Sequence, residues 1–236
     1  MGEELSTDHV KAHGAADGAA KCCYFDKDQP SNGGCFESIN AQNKPHNGAA
    51  IATGKQSAIT HAIAVSPLKS STKVVKVHVS KDYMKFNAAH FIAYKGFREK
   101  LHGHNYRLAV TITGEVGSDG YVIDFGEIKR MSRVICKDLN ESFLVPMKSD
   151  ALKISCDGTN IHIATEDMAT FSFPKTDCSL LPIVHTSAEE LAIHISNRLV
   201  DAFTLDALLR RGVQKLEVTL SEADQQFASY ERVLLV

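Results

Sequence analysis

The segment Leu101-His102-Gly103-His104-Asn105-Tyr106 carries two histidines two residues apart. They open an alternating run in which His102, His104, Tyr106, Leu108, Val110 and Ile112 share one parity, so a strand turns them to one face. Gly103 between the two imidazoles leaves room for a close approach. A third histidine, His90, ends a second alternating run made of Met84, Phe86, Ala88 and His90. Three imidazoles with an open fourth position form the donor set of a catalytic Zn2+ ion. Taken alone, an H-x-H in a strand reads more readily as a pair of surface or core histidines, and convergence with His90 is what would distinguish the two.

Two carboxylates stand near this set. Glu222 continues the apolar face of Leu216, Val218 and Leu220. A buried carboxylate is costly unless it is paired. A ligand edge with two parallel N–H donors, such as a pterin or guanine, would satisfy it; at a fraying strand end it simply reaches water. Glu99, three residues before His102, could act as a general base beside a metal-held substrate. It also reads, with Arg98 and Lys100, as a solvated charge cluster.

The elements that must hold these groups follow from periodicity. Val75, Val77 and Val79 alternate, and Met84 to His90 alternate on the other parity, so one long strand with a bulge or kink near Lys81 is expected. Phe91 to Leu101 reads as a loop, and a second strand runs from about 103 to 116. Pairing the two as an antiparallel hairpin brings His90 beside His102 and His104. Asp124, with Glu127 as its capping partner, opens a helix marked by Phe125, Ile128, Met131 and Ile135 and ending near Asp138. Asn140 to Pro146 reads as a loop. Residues 151–173 contain a small hairpin turning at Asp157-Gly158, with a further short strand at Phe171 and Phe173 stopped by Pro174. Thr186-Ser187 with Glu189-Glu190 caps a second helix, whose stripe is Ala188, Leu191, Ala192, Ile195, Leu199 and Phe203. His194 lies off that stripe and reads as exposed. Two final strands meet at Ala223-Asp224-Gln225-Gln226. The order β-β-α-α-β-β predicts class α+β, a four-stranded antiparallel sheet with helices on one face and an inserted small hairpin.

Composition excludes several roles. The 236 residues carry a net charge of −2, so neither a nucleic-acid partner nor an anionic membrane surface is indicated. No apolar run approaches the roughly 18 residues of a transmembrane helix. Residues 1–72 are rich in small and polar side chains and are expected to form a disordered N-terminal extension, leaving 73–236 as the folded domain. His9, His13, His46 and His61 have no mutual metal spacing and read as solvated, and Ala58 to Val65 reads as loose rather than as a short helix or docking arm. That extension has no arginine and no signal-peptide core, so a cytoplasmic protein is expected. Cys22, Cys23, Cys35, Cys136, Cys156 and Cys178 read as reduced thiols.

Phe86-Asn87-Ala88-Ala89-His90, Glu99-Lys100-Leu101-His102-Gly103-His104-Asn105-Tyr106, Tyr121-Val122-Ile123-Asp124-Phe125, Thr186-Ser187-Ala188-Glu189 and the late strand ending at Glu222 together resemble the 6-pyruvoyl-tetrahydropterin synthase family, over about residues 74–236. The resemblance implies Zn2+ held by His90, His102 and His104. It also implies a pterin edge anchored on Glu222, with Thr186 and Ser187 near the pocket. It implies the tunnelling fold, assembled as a homohexamer (a dimer of trimers) with active sites between subunits.

The sequence departs from the usual family pattern in its relay. The segment Phe91 to Leu101 lacks the family's catalytic cysteine, and Asn140-Glu141 stands where an Asp-His pair is usual. The E-x-x-H-G-H pattern is similar to a subclass that carries glutamate instead, associated with cleaving the side chain of dihydroneopterin triphosphate to 6-hydroxymethyl-dihydropterin, a folate precursor. The resemblance thus implies a carbon–oxygen lyase acting on phosphates, with Glu99 as base and Glu141 assisting. A 6-carboxy-tetrahydropterin synthase and a non-catalytic pterin- or purine-binding relative are the alternatives.

Overall fold

The computed structural model describes residues 73–234. The expected disordered extension, the Ala58 to Val65 cluster, and the cysteines and histidines before residue 73 lie outside the described residues.

The expected hairpins are present. Strand β1 (Val74–His90) pairs antiparallel with a strand over His102–Glu115, here β4. The late strands β10 (Val213–Ala223) and β11 (Gln226–Val233) pair with each other, and β10 also pairs with β4. The β1–β4 register slips between Ser80 and Lys85. The slip is needed because Val79 and Met84, of opposite parity, are both buried in the same core; without it one of them would face water.

The sheet is wider than the four strands expected. The segment read as a loop from Asn140 to Pro146 contains a strand, β5 (Ser142–Pro146), parallel to β1, and β9 (Cys178–Leu181) lies parallel to β5. The six-stranded order is β11-β10-β4-β1-β5-β9. Phe143-Leu144-Val145 hides its strand character because it does not alternate. Leu144 packs into the main core, and Phe143 and Val145 into a second apolar cluster on the other side. A strand covered on both faces reads as a continuous apolar run.

Helices α1 (Phe125–Leu139) and α2 (Ala188–Phe203) cover one face of the sheet, burying Ile128, Met131 and Ile135 of one and Leu191, Ile195 and Leu199 of the other. Asp124 caps α1 by accepting from the Gly126 N–H. Ser187 caps α2 by accepting from the Glu190 N–H, and the Glu190 carboxylate reaches back to the Val184 N–H. A short helix α3 (Leu205–Arg210) follows directly from Thr204, which caps it. His194 is half-buried rather than exposed; burial, and then the charge of Arg198, push it down to about 4.

Two smaller β units complete the chain. Within the segment expected to be a loop, β2 (Ala93–Tyr94) and β3 (Phe97–Arg98) form a minimal hairpin turning at Gly96, whose φ is +81°. The inserted segment is a separate three-stranded sheet of β6 (Lys153–Cys156), β7 (Asn160–Ala164) and β8 (Thr170–Pro174). Its Cys156, Ile161 and Ile163 share the second apolar cluster with Phe91, Ala93, Phe143 and Val145.

Candidate metal centre and active site

The β1–β4 register sets His90 opposite His102, and Ala88 opposite His104. The three rings converge, with centroids 4.7 Å apart for His90–His102, 5.1 Å for His90–His104 and 4.9 Å for His102–His104. One nitrogen from each lies within 4.8 Å of the others. Gly103 allows the strands to approach here: a Cβ at that position would lie 3.2 Å from the Ala88 carbonyl oxygen. Exposure is graded across the set. His90 is only 1 % exposed, His104 is half-buried and His102 is open to solvent. The cluster therefore has a buried floor and an accessible mouth.

The donor chemistry fits a metal ion. His90 Nδ1 lies 2.8 Å from the Thr186 carbonyl, and His102 Nδ1 lies 2.7 Å from the Lys100 carbonyl. A carbonyl can only accept, so each Nδ1 carries the proton and each Nε2 keeps its lone pair. Carbonyl-anchored imidazoles of this kind orient metal ligands. Burial, reinforced by the neighbouring His102, pushes His90 down to about 4, so it is neutral and able to ligate near pH 7.

Tyr106 extends the site toward the second carboxylate. Its hydroxyl lies 3.4 Å from His90 Nε2 and 3.4 Å from Glu222 Oε1. Burial, and then the Glu222 charge, hold the phenol well above its usual range, so it stays protonated and donates. The β10–β11 register shifts between Ser221 and Ala223, so Glu222 sits in a bulge rather than at a frayed end. A bulge re-aims its side chain, and Glu222 is half-buried with Tyr106 as its neighbour. No cation pairs with it among the ion pairs of the described residues.

Glu99 is half-buried just after β3. Its N–H donates to the Ile92 carbonyl at 2.9 Å, and its Oε2 accepts from the Ile92 N–H at 3.1 Å. Its charge acts on both His90 and Tyr106. Thr186 is fully buried; besides its carbonyl contact, its Oγ1 lies 3.2 Å from His90 Nδ1 and donates to the Phe91 carbonyl. These contacts hold His90, while Ser187 is occupied as the α2 cap. Glu141 is not drawn into the cluster. It is exposed, with φ +57°, and its N–H donates to the Asn87 carbonyl. It lines a cleft with Ala89, Gly103, His104 and Asn105, so one imidazole of the cluster opens onto the same cleft.

Tyr106 and the orienting part of Thr186 are the functional groups whose roles emerge only in the fold. The signal for Tyr106 was present, since it shares the parity of His102 and His104. Nothing local signals the tie between Thr186 and His90.

A sequence profile of the 6-pyruvoyl tetrahydropterin synthase family matches residues 78–233. The chain belongs to that family. Its fold is the tunnelling fold of these pterin synthases, a mostly antiparallel sheet backed by helices. The 6-pyruvoyl tetrahydropterin synthase of Plasmodium vivax is 43% identical with a TM-score of 0.67, covering 68% of this chain and 99% of its own. That enzyme has also been solved with a catalytic glutamate replaced by alanine and by cysteine. A putative 6-carboxy-5,6,7,8-tetrahydropterin synthase of Methanocaldococcus jannaschii is 30% identical over 154 residues, 65% of this chain and 93% of that protein. The dihydroneopterin monophosphate aldolase of Pyrococcus furiosus is 38% identical over 55 residues, 23% of this chain and 46% of that protein. Among the described residues no helix is long and apolar enough to cross a membrane.

Proposed function

We propose that this member of the pterin synthase family is a zinc-dependent lyase acting on 7,8-dihydroneopterin triphosphate, a carbon–oxygen lyase where triphosphate is eliminated, working in the cytoplasm as a homohexamer. The reading rests on one observation: three imidazoles, a protonated Tyr106 and two carboxylates, Glu99 and Glu222, gather at one end of the β1–β4 hairpin. His90, His102 and His104 would hold Zn2+, which when bound supplies Lewis-acid polarisation of the substrate's side-chain oxygens.

The chain's own groups do the rest. Glu222 accepts two N–H donors from the pterin edge, and Tyr106 keeps that carboxylate oriented. Glu99 takes a proton from the side chain, which then either expels triphosphate by breaking a carbon–oxygen bond or breaks a carbon–carbon bond in retro-aldol fashion, releasing a two-carbon aldehyde that keeps the triphosphate. Ser187 and Thr186 frame the pocket, and Glu141 assists. The Plasmodium variants at a catalytic glutamate support a glutamate in the basic role. The likeness to a dihydroneopterin monophosphate aldolase supports side-chain cleavage to 6-hydroxymethyl-dihydropterin. The Methanocaldococcus jannaschii relative supports a second reading, a 6-carboxy-tetrahydropterin synthase.

Metal analysis combined with chromatography of the products from dihydroneopterin triphosphate tests these readings. A pyruvoyl or a hydroxymethyl pterin supports the first reading and tells elimination from cleavage. A 6-carboxy product supports the second, and a metal-free protein giving no product defeats both.

A further inference from the structure

The inserted sheet grips the hairpin that carries Glu99. Asp167, in the β7–β8 turn, accepts from Arg98 Nε and from Arg98 Nη2, the latter at 2.8 Å. The remaining guanidinium nitrogen, Nη1, donates to the Glu99 carbonyl at 2.9 Å. The next carboxylate in the same turn, Glu166, accepts from the Gly96 N–H at 2.7 Å. Thr165 donates to Asp167, fixing the carboxylate within its own turn. Beneath the pair, the Arg98 guanidinium carbon lies 5.9 Å from the Phe91 ring and 5.6 Å from the Phe171 ring. Phe91 follows His90 directly, and Phe171 belongs to β8. A planar guanidinium thus joins the insertion, the β2–β3 hairpin and the Glu99 backbone in one contact.

We infer that Arg98 and Asp167 are positioning residues, through which the inserted β6–β7–β8 sheet sets the Glu99 carboxylate against the imidazole cluster. This inference rests on the reading of Glu99 as the base. Among the described residues, the hydrogen bonds that fix Glu99 are its reciprocal pair to Ile92 and the Arg98 contact to its carbonyl. A two-residue strand pair such as β2–β3 has too few ladder bonds to be rigid by itself. A base displaced by even about 1 Å loses on the order of 100-fold in rate.

The test uses the full chain with Asp167→Ala, Asp167→Asn, Asp167→Glu, Arg98→Lys and Glu99→Gln. Turnover of dihydroneopterin triphosphate is resolved into kcat and KM, zinc content is measured, and amide hydrogen exchange is followed across residues 91–101. Asp167 is half-exposed on a turn, so its removal opens no core. Asp167→Ala is expected to lower kcat about 10–100-fold, with KM and zinc content unchanged, and to speed exchange at the Ile92 and Glu99 amides. Arg98→Lys is expected to do the same, and Asp167→Glu to restore most of kcat. A general structural loss would lower zinc content and raise KM as well, and would contradict the inference. Unchanged exchange, or unchanged kcat while Glu99→Gln is inactive, overturns it. An active Glu99→Gln instead defeats the reading of Glu99 as base, and the exchange data still decide whether the turn holds the hairpin. If Asp167→Ala fails to fold, Asp167→Asn, which keeps an acceptor for Thr165, decides by the same measurements.

Discussion

His90 Nδ1 sits 2.8 Å from the carbonyl of Thr186, a residue 96 positions later in the chain. The bond dictates which nitrogen of the buried imidazole faces the cluster. Replacing His90, His102 or His104 with alanine is expected to abolish stoichiometric zinc binding. Thr186→Val keeps the carbonyl but removes the hydroxyl contacts, and a weakening of about tenfold in zinc affinity is expected. Competition with a chromogenic chelator measures both; full zinc occupancy in all three alanine variants would refute the metal centre.

Glu222 and Glu99 should separate kinetically. Glu222→Gln leaves a carbonyl oxygen but loses the charge, and hydrogen bonds to charged groups contribute about 1.5–3 kcal/mol. Pterin affinity is therefore expected to fall about 10–100-fold with zinc content intact. Glu99→Gln is expected to reduce kcat by about 100-fold or more with pterin affinity nearly unchanged. Binding of a non-reactive pterin, followed by fluorescence beside steady-state kinetics, distinguishes the two. Equal effects on binding would remove the division of labour.

Stability should fall on mild acidification of the metal-free protein. His90 and His194 are each pushed from 6.5 to about 4, chiefly by burial. Between those values the unfolded chain binds protons that the folded chain refuses, so stability rises with pH across the window. The contribution is complete above about 6.5 and is lost as pH falls toward 4, at most about 3 kcal/mol for each group. Urea unfolding at several pH values measures the slope, and His194→Gln should flatten it by roughly half. A slope indifferent to that change would show that His194 does not contribute.

Among the described glycines, Gly114 has the least room for a side chain. A Cβ there would lie 2.8 Å from the Gly212 carbonyl oxygen and 3.0 Å from Val122 Cγ1. Gly114→Ala is expected to destabilise by about 1–3 kcal/mol, as overpacking does. Its unfolding midpoint in urea, compared with the parent protein, provides the check.

The sequence made the hairpin histidines legible because strand parity and pairing bring His90 and His102 together once the bulge near Lys81 is recognised. Glu222 was legible as an anomaly, an acid on an apolar face. The bulge that explains it was not, because pairing of Ser221 and Ala223 depends on the partner strand. Strand β5 was missed because Phe143 to Val145 are buried on both sides and show no period. Strand β9 escaped notice because Ser179 faces the Ser142 hydroxyl, so its polarity reflects a neighbour 37 residues away. The relation of Arg98 to Asp167 is a contact between strand β3 and the β7–β8 turn, and neither segment encodes the other.

The long separation of His90 from Thr186 has a consequence for biogenesis. A nascent chain emerging from the ribosome owns all three imidazoles soon after residue 104, yet lacks the carbonyl that aims the first of them. Glu222 and its bulge arrive later still. On the zinc reading, the fully oriented ligand set therefore exists only once Thr186, 82 residues after His104, has been made and docked. A chain truncated before Thr186 is accordingly expected to bind zinc more weakly than the full one.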